Sequence, residues 1–260
     1  MSARWPWVSV SSAARRVARD LGQLLFAAGF YAVVASVLAA LWRAAAEVNG
    51  GHVAGYSGLQ LTWYVVASEA VTIALNTRLI EVIGDDIASG AIAAELLRPA
   101  PVLGVRVCTE FGRSLPRLAV CVAIGVVLAT TTAGAPPDAT ALALAAPAVL
   151  LAVACNLIAQ HAFAGIAFWL RDARSMWFLY HKLVFVLGGM LLPLQVMPSW
   201  LHTIASWLPF AAMAYVPARL ASGHVEPQLL LVQVGWLIVL WWAARKVFTA
   251  GERRLQVVGG

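Results

Sequence analysis

"SWLHTIASWLPFAAMAYVPA" occupies residues 199–218, and whether it crosses a membrane decides the fold. It is apolar enough to cross, yet it holds Pro209 and Pro217 and follows Pro193 and Pro198. The rest of the chain makes this a question of membrane topology. Of its 260 residues, 62% are hydrophobic and 12% charged, against roughly 45–50% and about 25% in soluble domains. The reading is an all-α, polytopic integral membrane protein. A spanning helix needs about 20 mostly apolar residues, and six further stretches qualify: 21–42, 58–80, 116–133, 141–169, 177–197 and 228–244. The fifth is imperfect, because His181 and Lys182 intrude near its start.

Charge parity fixes the count. With six spans and the N-terminus inside, segments 1–20, 78–117, 170–182 and 245–260 face the cytoplasm. They hold sixteen of the eighteen Lys and Arg residues, leaving only Arg43 and Arg219 outside. A seventh span would carry Arg245, Lys246, Arg253 and Arg254 outside, against the positive-inside rule. Segment 199–218 is therefore expected as a broken, re-entrant or interfacial helix on the outer side, where irregular backbone survives if buried in protein or facing a cavity. The expectation is one transmembrane domain over 1–260, six spans, both termini cytoplasmic, and no nucleotide-binding domain. The first span follows Arg15, Arg16 and Arg19, but at about 22 residues it is too long for a signal-peptide core. The net charge of +6 belongs to topology rather than to a nucleic-acid partner.

Several chemistries are excluded or weak. Cys108, Cys121 and Cys155 have no paired spacing, which argues against a disulfide framework or a zinc site. Neither lysine, Lys182 or Lys246, stands in a G-x-x-x-x-G-K-[ST] loop, so ATP-driven work needs another polypeptide. "GYSG" at 55–58 matches a short intramembrane serine-protease motif, but Ser57 needs a base within reach. His161 and His181 are expected near the opposite side of the membrane. Asp85 and Asp86 alone are thin support for a divalent ion. No cofactor or metal is expected on this chain.

Polar residues inside the spans are the better candidates. Glu69 falls at the middle of span two, where a charge costs about 2.5–3.5 kcal/mol and usually faces the bundle interior or a cavity. Thr62, Glu69, Thr72 and Asn76 share one helical face. Span four adds Asn156 and Gln160, four residues apart, beside His161. These residues form either a polar substrate path or interhelical glue of the kind polar side chains supply in lipid.

The longest cytoplasmic connection contains "IGDDIASGAIAAELLRPAP", residues 83–101. Asp85 and Asp86 are placed to cap a helix start, Arg98 falls in its last turn, and Pro99 ends it, in agreement with the helix dipole. Ala88, Ile92 and Leu96 form an apolar strip, with Glu95 turned elsewhere. Such a helix of about 20 Å cannot span and suits docking into a partner's groove.

In "IGDDIASGAIAAELLRPAPV", "LLPLQVMPSWLHTIASWLPF" and "ARKVFTAGERRLQVVGG" the chain resembles the membrane subunits of ABC-2 type transporters, most closely a branch that includes viologen-exporter-like permeases. The resemblance covers nearly the whole length, and the first motif is its most specific part. It implies that 83–101 is the coupling helix, with Asp85, Asp86, Ile92, Glu95, Leu96, Arg98 and Pro99 its key residues. It also implies that the arginine-bearing segment before span one is an interfacial connecting helix. The implied partners are two copies of an ATP-binding subunit, which hold the ATP and Mg, and a second identical or paralogous permease, in a bacterial cell membrane. The implied activity is export of a small hydrophobic or cationic solute or a lipid. An intramembrane hydrolase-like enzyme and a membrane scaffold are the alternatives.

Overall fold

The computed structural model describes residues 5–96, 100–170, 173–190 and 193–258. It is an all-α membrane protein. The helices are α1 (Trp5–Ala18), α2 (Leu21–Val48), α3 (Gly58–Ala74), α4 (Leu79–Ala88), α5 (Ile92–Leu96), α6 (Val102–Thr132), α7 (Ala139–Gly165), α8 (Ala167–Leu170), α9 (Ala173–Leu187), α10 (Ser199–Ser206), α11 (Pro209–Met213), α12 (Tyr215–Ala221) and α13 (Gln228–Val258). A hairpin of β1 (His52–Val53) and β2 (Tyr56–Ser57) joins α2 to α3. Among the described residues, five stretches are long and apolar enough to cross a membrane: Leu21–Val48, Gly58–Ala88, Val102–Thr132, Ala139–Leu170 and Gln228–Arg254.

Helix α2 explains how such stretches sort their faces. Ala27, Tyr31, Ala35, Ala39, Trp42 and Ala46 recur at helical spacing and are buried, so small side chains let α3 and α6 approach closely. Leu21, Leu25, Phe26, Phe30, Val33, Val37 and Leu41 form the exposed face. An apolar surface of that extent marks contact with lipid. Helix α7 is the hub, packing against α3, α4, α6, α9, α11, α12 and α13. Its apolar residues accordingly run all round rather than along one stripe.

Three expected boundaries change. The third span does not start at 116: α6 begins after Pro101 and runs through Pro116 for 31 residues, about 46 Å. That exceeds the ~30 Å hydrocarbon layer, so one end projects. Helix α1 packs along that end, where a Cβ on Gly112 would come within 2.3 Å of the Val10 carbonyl oxygen. Span two is interrupted, because α3 stops at Leu75, whose backbone is extended, and the chain resumes helix at Leu79. The fifth expected span, 177–197, is instead the 15-residue α9, about 22 Å long. It ends at Gly188 and Gly189, the latter with φ +68°, a conformation that costs glycine little.

Segment 199–218 is broken, as its prolines require. Pro209 starts α11 and Pro217 lies in the first turn of α12, where a missing N–H is tolerated. Helix α10 and its C-cap expose Trp200, Ile204 and Trp207, whereas Phe210, Ala211, Ala212, Met213 and Ala214 are buried. Contacts give the ends of the bundle. Helix α9 starts with Ala173 against Gly84 and reaches Gly189, whose carbonyl accepts from the Tyr64 hydroxyl. Arg219 of α12 reaches Tyr56 of the hairpin, while the C-terminal half of α13 lies beside Gly165 and Phe168.

Gly84 sets the approach of α4 to α9: a Cβ there would lie 2.2 Å from Ala173 Cβ. Gly84→Ala should therefore lower the thermal midpoint of the purified protein, at an overpacking cost of about 1–3 kcal/mol. Gly29→Ala, with nothing within 4 Å, should not lower it.

Candidate functional site

The 83–101 segment is not one helix. Asp85 and Asp86 lie in the last turn of α4 rather than at a helix start; Ser89 caps its end and Gly90, at φ +77°, turns the chain into the short α5. Acids at a helix C-terminus oppose its dipole, so they need a cation from elsewhere. Arg106 of α6 supplies it. Its Nη2 donates to Asp86 Oδ2 at 2.7 Å and to Glu95 Oε1 at 2.8 Å, and its Nε donates to Glu95 Oε2 at 2.8 Å. Glu95 is thus held by a two-pronged pair. The partner of Glu95 is thus Arg106, and Arg98 and Pro99 lie outside the described residues.

This clamp shapes a tip. Ile87 and Ile92 are buried beneath it, while Ala88, Ser89, Gly90, Ala91, Ala93 and Ala94 are exposed. The expected strip of Ala88, Ile92 and Leu96 is split, because Ala88 faces out and Ile92 faces in. Behind the tip lies a cavity of about 360 Å³ bordered by Asp86, Glu95, Arg106, Glu110, Arg113 and His161. Glu110 Oε1 accepts from Arg113 Nη1 at 2.5 Å. His161 Nδ1 bonds the Leu157 carbonyl at 2.7 Å, leaving Nε2 buried with no partner among the described residues.

The polar residues within the bundle divide. Thr72, Asn156 and Gln160 border one cavity of about 150 Å³, together with Tyr180, His181, Lys182 and Met190. Asn156 Oδ1 accepts from Gln160 Nε2 at 3.0 Å and from the Tyr180 hydroxyl at 2.5 Å. Thr72 Oγ1 reaches the Ser68 carbonyl at 3.0 Å and Met190 Sδ at 3.2 Å. Asn76 falls in the break after α3, where its Oδ1 accepts from the Arg78 N–H at 3.1 Å, so the polar face expected through residue 76 ends at Thr72. Thr62 is fully buried and bonds back to the Gly58 carbonyl. Glu69 is 4% exposed, does not border that cavity, and makes no hydrogen bond or ion pair among the described residues.

At the hairpin end, Arg219 donates to Glu226 Oε1 at 2.6 and 3.0 Å and to the Tyr56 hydroxyl at 2.5 Å. Burial is the largest single influence and opposes its charge, but Glu226, Tyr215 and Tyr56 together outweigh it and hold the guanidinium pKa above the ordinary arginine value. Burial, then the Arg219 charge, holds the neighbouring His224 below the usual histidine range. Gln195 bonds the Tyr215 hydroxyl and accepts from the Tyr56 hydroxyl. Ser57 is the N-cap of α3, accepting from the Gln60 N–H at 3.3 Å while Gln60 accepts from the Ser57 N–H at 3.0 Å. No hydrogen bond among the described residues joins Ser57 to a histidine, and no group of three or more His, Cys, Asp or Glu is placed to hold a metal.

Sequence reasoning missed Arg106, Tyr180 and Met190. Arg106 is 11 and 20 residues from its two partners, beyond any helical spacing. The tyrosine and methionine read as ordinary apolar filling.

The family model described as ABC-2 family transporter protein matches residues 26–259. No curated protein matches the chain.

The clamp is testable by amide exchange. Charged hydrogen bonds contribute about 1.5–3 kcal/mol, towards the low end here because Asp86 and Glu95 are about a third exposed. Arg106→Gln should speed exchange over residues 89–96 by about tenfold and leave the centre of α7 unchanged.

Proposed function

This chain belongs to the ABC-2 family of transporter proteins, and we propose that it is the permease subunit of an ATP-driven exporter. As a transport membrane subunit it leaves hydrolysis to separate ATP-binding subunits, two per complex, which hold the ATP and Mg. A second identical or paralogous permease completes the path. The family membership and the apolar helices support a multi-pass membrane protein; a bacterial cell membrane and the viologen-exporter-like branch are part of the proposal.

The observation that carries the coupling reading is the exposed tip at 88–94. It is small-residued, turned at Gly90, and held against α6 through Asp86, Glu95 and Arg106. Small exposed side chains let another protein's surface come close, and a clamped backbone loses little entropy on binding. Because α4 packs on both α7 and α9, force at the tip has a route into the bundle.

The proposed topology keeps six crossings with both termini cytoplasmic. Helix α9 supplies the fifth, with α11 packed beside it. Thr72, Asn156 and Gln160 carry the proposed path for a small hydrophobic or cationic solute or a lipid. Glu69 stays in it, since an intramembrane carboxyl without a partner is a functional residue by default. Thr62 and Asn76 serve local backbone structure instead.

Two measurements test this reading. Single cysteines at Ala91 and Arg254 should be labelled from the cytoplasmic side and one at Ala135 from outside, with Cys108, Cys121 and Cys155 replaced. Arg254 found outside would overturn the six-crossing topology. Purification from the source membrane should bring down a subunit bearing a G-x-x-x-x-G-K-[ST] loop and ATPase activity. Ala93→Arg should insert normally yet weaken that association at least tenfold, about 1.4 kcal/mol. An Ala93→Arg permease that retains its ATPase at full yield would refute the docking role of the tip.

A further inference from the structure

Within the permease reading, the 150 Å³ cavity between α3, α7 and α9 has a chemical preference. At about 30 Å³ per water in the liquid, it has room for a small head group. Thr72, Tyr180 and the Gln160 amide nitrogen all turn their donors onto neighbours. Gln160 Oε1 is left: the residue is 2% exposed, and this oxygen has no hydrogen-bond partner among the described residues. A buried carbonyl without a partner is unfavourable, and lipid supplies no donor to relieve it. Gln160 lines the cavity, and a small rotation of its amide would turn this oxygen to a ligand's O–H or N–H.

Charge narrows the class. Among the described residues no carboxylate borders the cavity, and Lys182 stands at its rim, with its ammonium 5.3 Å from the Phe178 ring centroid and 6.0 Å from that of Phe185. A cation meets repulsion there, and an anion meets the bare carbonyl of Gln160. Leu75, Val184 and Phe185 supply apolar walls. We infer that this cavity is a subsite for the uncharged hydroxyl or amide group of an amphiphilic solute, with Gln160 as the acceptor that reads it. The inference rests on the permease reading and selects, among its solutes, lipid-like amphiphiles over organic cations.

The test uses the full chain in nanodiscs without any ATPase. An octanol bearing a diazirine is the photoreactive probe, and adducts are located by peptide mass spectrometry. Adducts are expected at Tyr180, Phe185 or Met190. Hexan-1-ol should suppress them at about one-tenth the membrane concentration needed by its isomer 1-methoxypentane, which has no donor; a site built to hydrogen-bond a ligand rejects the analogue that cannot. Gln160→Met should erase that difference, and the wild-type comparison stands even if the variant does not fold. Absence of adducts in the cavity, equal suppression by alcohol and ether, or stronger suppression by propyltrimethylammonium would each overturn the subsite. None of these results touches ATPase copurification, so loss of the subsite and loss of the permease reading are separable.

Discussion

Apolar side chains do not distinguish lipid from protein, so greasiness alone cannot say which helix packs on which. In this bundle the choice is made by aromatic and amide donors that find backbone carbonyls on other elements. The Tyr31 hydroxyl donates to the Val66 carbonyl at 2.8 Å, and Trp177 Nε1 donates to the Thr77 carbonyl at 2.6 Å. Tyr64 donates to the Gly189 carbonyl, and Trp63 to that of Gly134 at 3.4 Å. Gln233 Nε2 joins α13 to the carbonyls of Ala148 and Ala212. Thr77, Gly134 and Gly189 all lie where a helix has ended, and carbonyls freed at such ends must find partners when they are buried. The breaks and the aromatic donors are two halves of one solution.

That solution explains how much could be read from the chain. The all-α membrane class and the broken 199–218 segment follow from apolar content and proline, which act locally. The family resemblance was legible for the same reason, through motifs contiguous in sequence. Helix 83–101 was misread because Asp85 and Asp86 look like N-caps, and only the left-handed Gly90 and the distant Arg106 show that they end a helix. Asn76 looked like the continuation of a polar stripe until Leu75 broke the periodicity. Of the candidate path residues, Thr72, Asn156 and Gln160 converge because Tyr180 links α9 to α7, and no spacing rule contains that contact.

The same bonds bear on movement. The proposed subsite lies between two links from α3 and its continuation to α9: Trp177 to Thr77 towards the tip, and Tyr64 to Gly189 towards the hairpin. Helix α4 approaches α9 closely at Gly84 and Ala173, so displacement of the 88–94 tip acts on the first link before the second. Interhelical hydrogen bonds in lipid average about 0.6 kcal/mol and reach about 1.7. Links of that strength hold a resting arrangement but yield to a differential binding energy of a few kcal/mol. In the proposed cycle, closure of the ATP-binding subunits supplies that difference at the tip. A ligand bonded to Gln160 supplies its own from inside the cavity, and the two inputs meet on α9.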